Sequence, residues 1–266
     1  MKILEIQKVD LASFCYLDSD RYPFLLESVN HNDFNRYSIL FAFPGERIIL
    51  NSFSDFDFLN ELKNQFKPNN LNSDLPFTGG WFVYLSYELI GQIEPSLACE
   101  VYSSNLPIAY AVKIPSAIII DHQLDKTYLI DQDDNEDRIN SILSDIKLTK
   151  PIPEKTIKGK LSEENQEKFT DGVKACLDYI VAGDVFQVNL SRQWQYKLSE
   201  KINSTIIYSA LKNANPAPFS ALIQYENFSI ISSSPERLFS VNDGVLQTRP
   251  IAGTHPRGKG SEDDTQ

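Results

Sequence analysis

The sequence predicts an α+β fold in which layered antiparallel sheets form a sandwich-like core with helices outside. Three observations carry that prediction. Short β-rich runs recur in pairs across tight turns, at 117–121 with 127–131 and at 219–225 with 228–232. Two stretches, 55–66 and 162–182, repeat apolar residues at helical spacing. Across 266 residues, 42% are hydrophobic and 11% aromatic, enough for a packed core and too much for wholesale disorder.

Each element follows from its residues. The run 36–43 is β-rich and stops at Pro44-Gly45. In 55–66, Phe58, Leu59, Leu62 and Phe66 share a helix face. The polar stretch 67–74, with Pro68, reads as a loop, and 79–85 as a buried strand entered from the Gly79-Gly80 turn. The segments 117–121 and 127–131 pair as a hairpin. The stretch 147–160 carries Pro151 and Pro153 among charges, which divides the chain into domains 1–150 and 160–266. A helix then starts at a Ser162 cap, with Glu163 and Glu164 at the positive end of its dipole. Phe169, Val173, Cys176, Leu177, Ile180 and Val181 form its apolar face, and Gly183 ends it.

From 185 to 196, Phe186, Val188, Leu190 and Trp194 alternate with Gln187, Asn189, Ser191, Gln193 and Gln195, which predicts a long strand. A short helix is expected near 204–213, ending before Asn215-Pro216. A hairpin follows, turning at Glu226-Asn227. The stretch 249–266 is Gly-rich and charged, and nothing in the sequence completes the sheet these elements begin. A chain cut short is the expectation.

Composition excludes several functions. With 25 Lys plus Arg against 36 Asp plus Glu, the net charge of -11 repels phosphate backbones, which disfavours nucleic-acid binding. Cys15, Cys99 and Cys176 are far apart and form no disulfide framework, which suits a reducing cytoplasm. No secretory signal opens the chain, and its longest aliphatic stretch, 117–120, is too short for a bilayer, so no membrane role is expected.

Motifs narrow the chemistry less sharply. No phosphate loop, HExxH or Gly-x-Ser-x-Gly occurs. His31, His122 and His255 lack ligand spacing, read as surface or loop residues, and support no metal site. The uncharged face of Gln187, Asn189 and Ser191 reads either as an ordinary wet strand face or as a pocket lining. Glu236, beside Pro235, reads as a cap or an ion pair with Arg237. The loop 248–254 reads as an ordinary turn or as one whose backbone donors approach an anion.

A family resemblance emerges from several of these motifs together. The runs 183–191 (GDVFQVNLS), 215–220 (NPAPFS), 234–237 (SPER) and 249–254 (RPIAGT) resemble the chorismate-binding enzymes in order and spacing. Upstream, 24–28 (FLLES), 36–38 (RYS) and 79–81 (GGW) resemble the N-terminal region of the component I branches, anthranilate synthase and aminodeoxychorismate synthase.

The resemblance implies an anthranilate-synthase-component-I-like fold, incomplete at the C-terminus. It also implies magnesium, chorismate and a glutamine amidotransferase subunit as cofactor, substrate and partner. The magnesium ligands, a catalytic histidine and the residues holding the substrate carboxylates are expected beyond this chain, so the fragment alone is expected to be inactive, with no metal ligand in it. Glu236 matches the family's proton donor. Ser234, Arg249, Gly253 and Thr254 match substrate-binding positions. Ser28, Phe34, Asn35, Arg36, Tyr37, Pro218, Phe219 and Ser220 match a tryptophan pocket, for which core packing and capping of 25–28 is the plain alternative.

Branch assignment turns on three places. The water-adding isochorismate branch carries a lysine where Gln187 stands, and a glutamine cannot act as a general base, so amination is expected. The runs 186–190, 217–220 and 234–239 look more like aminodeoxychorismate synthase, which aminates C4 on the route to p-aminobenzoate and folate. Ala252 points the other way, because that branch carries a nucleophilic lysine there and anthranilate synthases carry alanine. The C4 branch is the expectation, anthranilate synthase (tryptophan biosynthesis) the alternative, and a non-catalytic remnant that binds glutaminase or tryptophan a third reading.

Overall fold

The computed structural model describes residues 1–29, 35–66, 73–97, 106–242 and 244–251. In chain order the elements are β1 (Lys2–Ile6), α1 (Leu11–Leu17), β2 (Phe24–Glu27), β3 (Tyr37–Ala42), β4 (Arg47–Leu50), α2 (Phe58–Gln65), β5 (Gly80–Leu85), α3 (Ile90–Ile93), β6 (Ala109–Ile114), β7 (Ser116–Asp121) and β8 (Lys126–Asp131). There follow α4 (Glu136–Leu148), β9 (Gly159–Glu163), α5 (Gln166–Ala182), β10 (Trp194–Leu198), α6 (Ser204–Ala214), β11 (Phe219–Tyr225), β12 (Phe228–Ser234), β13 (Arg237–Asn242) and β14 (Val245–Arg249).

By contacts the chain divides into one unit of Met1–Ile152 with Ser204–Gln266 and another of Pro153–Asn203. The first unit is built on a seven-stranded antiparallel sheet in the order β1-β8-β7-β3-β2-β11-β12. Alternation along its strands sorts side chains to two faces. Leu25, Leu40, Ile118, Ile120, Leu129 and Leu222 face one way and pack against Leu11, Phe14 and Cys15 of α1, Ile139 and Ile142 of α4, and Tyr208 of α6. Their neighbours Phe24, Phe41 and Ile223 face the other way and meet Phe82, Tyr110, Val112 and Ile114 of a second, three-stranded sheet, β4-β6-β5. Phe24 stacks on Phe82 with ring centroids 4.1 Å apart. The expected class, antiparallel sheets packed face to face with helices outside, is what these layers form.

Buried charge holds the end of β8, one strand in from the edge of the sheet. The Asp131 carboxylate accepts from Ser116 Oγ (2.7 Å), Arg138 Nε (2.7 Å) and Nη2 (3.0 Å), and the backbone N–H groups of Asp133 (3.0 Å) and Asn135 (2.9 Å). Burial alone would raise its pKa, but Arg138 and the other donors outweigh burial and hold it down at about 2. These bonds tie β7 and β8 to α4, which Asn135 caps by accepting the Arg138 N–H.

Several sequence expectations change on the structure. The 55–66 helix is shorter, Phe58–Gln65, and Asp57 caps it by accepting the Asn60 N–H. The stretch 79–85 is not a fully buried strand: β5 lies at the edge of the small sheet, where Phe82 is buried and Val83 and Leu85 are exposed. Gly79 does carry the expected turn, with φ 114, a conformation that favours glycine. The 219–232 hairpin does not lack a sheet, because β11 pairs with β2 in register from Ser220↔Glu27 to Ile223↔Phe24. A hairpin from the expected second domain is thus built into the sheet of the expected first. It turns at Glu226-Asn227 as expected, with Glu226 at φ 46.

In the second unit Ser162 is not a cap. It lies in β9, and Asn165 caps α5 by accepting the Glu167 N–H. Gly183 ends α5 as expected, at φ 82. The long strand expected over 185–196 is confined to Trp194–Leu198, which pairs with β9. Among the described residues no strand pairs with 185–193, and alternation cannot make a strand without a hydrogen-bonded neighbour. Phe186 is fully exposed there, and no residue of α5 is buried.

Candidate functional site

Where β2 ends and β3 begins, the large sheet opens into a cavity of about 380 Å³. Two walls form it: Leu26, Glu27, Ser28, residues 35–37 and Ile39 on one side, and Pro218, Phe219, Ser220 and Arg237 on the other. The β2–β11 ladder fixes the distance between them. The Val29 N–H donates to the Ala217 carbonyl (3.1 Å), and Ser220 Oγ donates to the same oxygen (3.2 Å). Ser28, Asn35, Arg36, Tyr37, Pro218, Phe219 and Ser220, distant in sequence, are thereby brought together. Phe34 lies outside the described residues.

Charge in the cavity wall is held by partners behind it. The Arg36 guanidinium donates from Nε (2.9 Å) and Nη2 (2.5 Å) to the buried Asp121 carboxylate and stacks 4.8 Å from the Tyr37 ring centroid. That bond to Asp121 pushes the Arg36 pKa up, and burial does the same for the Tyr37 phenol. Opposite, the Arg237 guanidinium lies 5.3 Å from the Phe219 ring centroid. Glu27 turns its carboxylate toward α6, accepting from Tyr208 Oη (2.6 Å) and Lys212 Nζ (3.1 Å). Burial, with Glu27 adding to it, drives the Tyr208 phenol far above its ordinary range. With the Glu27 carboxylate committed to α6, the cavity offers the Tyr37 and Phe219 rings and the two arginines, a set that suits a ligand with an aromatic or anionic group.

The chemistry expected downstream is only partly assembled. Glu236 lies between β12 and β13, its N–H donating to Ser234 Oγ (3.2 Å) and its Oε1 accepting from the Ile251 N–H (3.3 Å). It is exposed, not enclosed in a dry pocket. Arg249 ends β14 opposite Arg237 on the ladder. Gln187, Asn189 and Ser191 are exposed, with Gln187 Nε2 3.4 Å from Asn189 Oδ1. Ala252, Gly253 and Thr254 lie outside the described residues, as do His31, Cys99 and His255.

Among the described residues no three His, Cys, Asp or Glu side chains converge to hold a metal. Among the described residues no helix is long and apolar enough to cross a membrane.

Sequence reasoning missed four contributors. Asp121 anchors Arg36, and Tyr208 and Lys212 anchor Glu27 across 181 and 185 residues. His122, read as a surface residue, is half-buried with its Nε2 2.8 Å from Ser38 Oγ. Only the apolar alternation of β2 and β3 hinted at such neighbours.

Comparison with known proteins gives this geometry a context. A family model described as chorismate binding enzyme matches residues 16–266. An anthranilate synthase component I-like protein of Synechocystis is 31% identical over 254 residues, covering 90% of this chain and 51% of the relative. An aminodeoxychorismate synthase component 1 of Bacillus subtilis is 31% identical over 80% of this chain and 48% of its own length. The crystal structure of anthranilate synthase component I from Streptococcus pneumoniae superposes with a TM-score of 0.67 at 23% identity, covering 81% of this chain and 54% of that one, a likeness of fold. The chain spans about half the length of the curated relatives it matches.

Proposed function

The chain belongs to the chorismate-binding enzymes, and on that premise we propose that it is component I of a C4-aminating synthase, an aminodeoxychorismate synthase. Ammonia released by a glutamine amidotransferase partner replaces the C4 hydroxyl of chorismate, giving 4-amino-4-deoxychorismate on the way to p-aminobenzoate and folate. The observation that carries amination is Gln187, standing where the water-adding branch has its basic lysine. The runs 186–190, 217–220 and 234–239 favour the C4 branch.

In this reading Glu236 delivers a proton to the departing hydroxyl as the C4–O bond breaks. Water leaves, the ammonia nitrogen bonds to C4, and the surplus proton on nitrogen is shed. A positioned acid contributes about 10²–10⁴-fold, because hydroxide is a poor leaving group. The Ile251 N–H holds the carboxyl and Ser234 the Glu236 main chain, and Arg249, Gly253 and Thr254 serve the substrate. Magnesium would screen the carboxylates of chorismate, and the setting is the cytoplasm. The cavity between 26–39 and 218–237 takes tryptophan or an amino acid like it.

Ala252 favours a second reading, anthranilate synthase component I, and relatives of that name support it equally. The test supplies the product of the complete gene with chorismate, a magnesium salt and ammonium. Mass and chromatography then identify what forms. Aminodeoxychorismate supports the C4 branch, and anthranilate replaces it with the second reading. No product from a chain that still captures a glutaminase or tryptophan leaves the remnant.

A further inference from the structure

We infer that His122 is a positioning residue which, through the Ser38 hydroxyl, sets the place of Ser28 in the cavity wall according to pH. Three bonds make the relay. The Ser28 N–H donates to Ser38 Oγ (3.0 Å), Ser38 Oγ lies 2.8 Å from His122 Nε2, and Ser28 Oγ donates to the Tyr37 carbonyl (2.9 Å). The His122 N–H donates to the Arg36 carbonyl (2.8 Å), which fixes the ring against the same wall.

Ser38 is 1% exposed, and a hydroxyl has one proton to place. Among the described residues that proton has no acceptor except His122 Nε2. The geometry therefore requires an imidazole with a bare Nε2. Once the ring is protonated, both its nitrogens are donors. Nε2 then donates to Ser38 Oγ, which is already accepting from Ser28, and the buried Ser38 proton loses its partner. The hydroxyl must turn its proton away from the ring, and the Ser28 amide bonded to the same oxygen shifts with it.

Charged groups around the ring pull both ways. Asp121 and Asp125 on its own turn favour the imidazolium. Arg36, bound to Asp121 from the start of β3, and Lys8, bound to Asp125 at 2.6 Å from beyond β1, offset them. The phenol of Tyr37 on β3 faces the same wall. Each of the two carboxylates is thereby paired with a cation.

The ligand half of the test rests on the proposal that the cavity takes tryptophan; the structural half does not. By NMR on the whole chain, the Ser28 amide signal is expected to move with the ring signals of His122 between pH 5.5 and 7.5. In calorimetry, L-tryptophan should bind about fivefold more weakly at pH 5.5 than at pH 7.5, the loss of roughly one net hydrogen bond. His122→Gln can offer an amide oxygen to Ser38, so its affinity should be flat across that range and close to the wild-type value at pH 7.5. Ser38→Ala should also be flat. A Ser28 amide that stays fixed while His122 titrates overturns the relay, as does a pH slope that survives in His122→Gln. If tryptophan fails at every pH while the Ser28 amide follows His122, the ligand reading falls and the relay stands.

Discussion

Replacing Asp131 with asparagine tests the charge logic at the end of β8. An unfolded aspartate titrates near 3.9, and the folded one at about 2. That difference corresponds to about 2.6 kcal/mol of stability at neutral pH, carried by the ionised form. Asparagine also presents an NH₂ group where Asp131 accepted, against Arg138 or Ser116, which adds about 1 kcal/mol. Asp131→Asn should therefore cost about 3–4 kcal/mol at pH 7. The sign on pH follows from a depressed acid: the stabilisation is complete well above 3.9 and is lost as pH falls toward 2. About 0.7 kcal/mol of it is gone by pH 3.5. Urea unfolding on a Trp194→Phe background, where Trp81 is the remaining indole, measures both quantities. A cost below about 1 kcal/mol, or an identical loss between pH 6 and 3.5 with and without Asp131, would refute the reasoning.

Three further outcomes are expected. Tyr208→Phe removes a short bond to the Glu27 carboxylate and should cost about 1.5–3 kcal/mol, with a double-mutant cycle against Glu27→Gln showing coupling of at least about 1 kcal/mol. Phe82→Ala empties the stack on Phe24 between the two sheets and should lower stability by about 3–5 kcal/mol in the same urea assay. Gly183→Ala, at φ 82 with open space around the added methyl, should weaken the end of α5 by about 1 kcal/mol, read as faster amide exchange in its last turn.

Legibility in the sequence followed the range of the interaction. The 219–232 hairpin and the left-handed Gly183 depend on residues a few positions apart, and both are readable. The pairing of β11 with β2, the Glu27 bonds to α6 and the Arg36–Asp121 pair join residues that one sequence does not link by period or spacing. The 185–193 stretch failed for a related reason: its alternation is real, but a strand needs a partner, and pattern carries no information about one. The cavity positions 28, 35–37 and 218–220 were named through family resemblance. Periodicity would have left Ser28 as the polar end of a strand and His122 as a turn residue.

The place of β11 beside β2 has a consequence for synthesis. When a ribosome has produced α4, strand β2 still lacks one neighbour, and its backbone donors and acceptors stand unpaired beside Phe24 and Leu25. About seventy residues must follow before β11 can dock, roughly 4–15 s at common elongation rates. During that interval the nascent chain carries an open edge that a second nascent copy could occupy. Efficient production should therefore depend on chaperone cover or on slow initiation, more than on the final stability of the folded sheet.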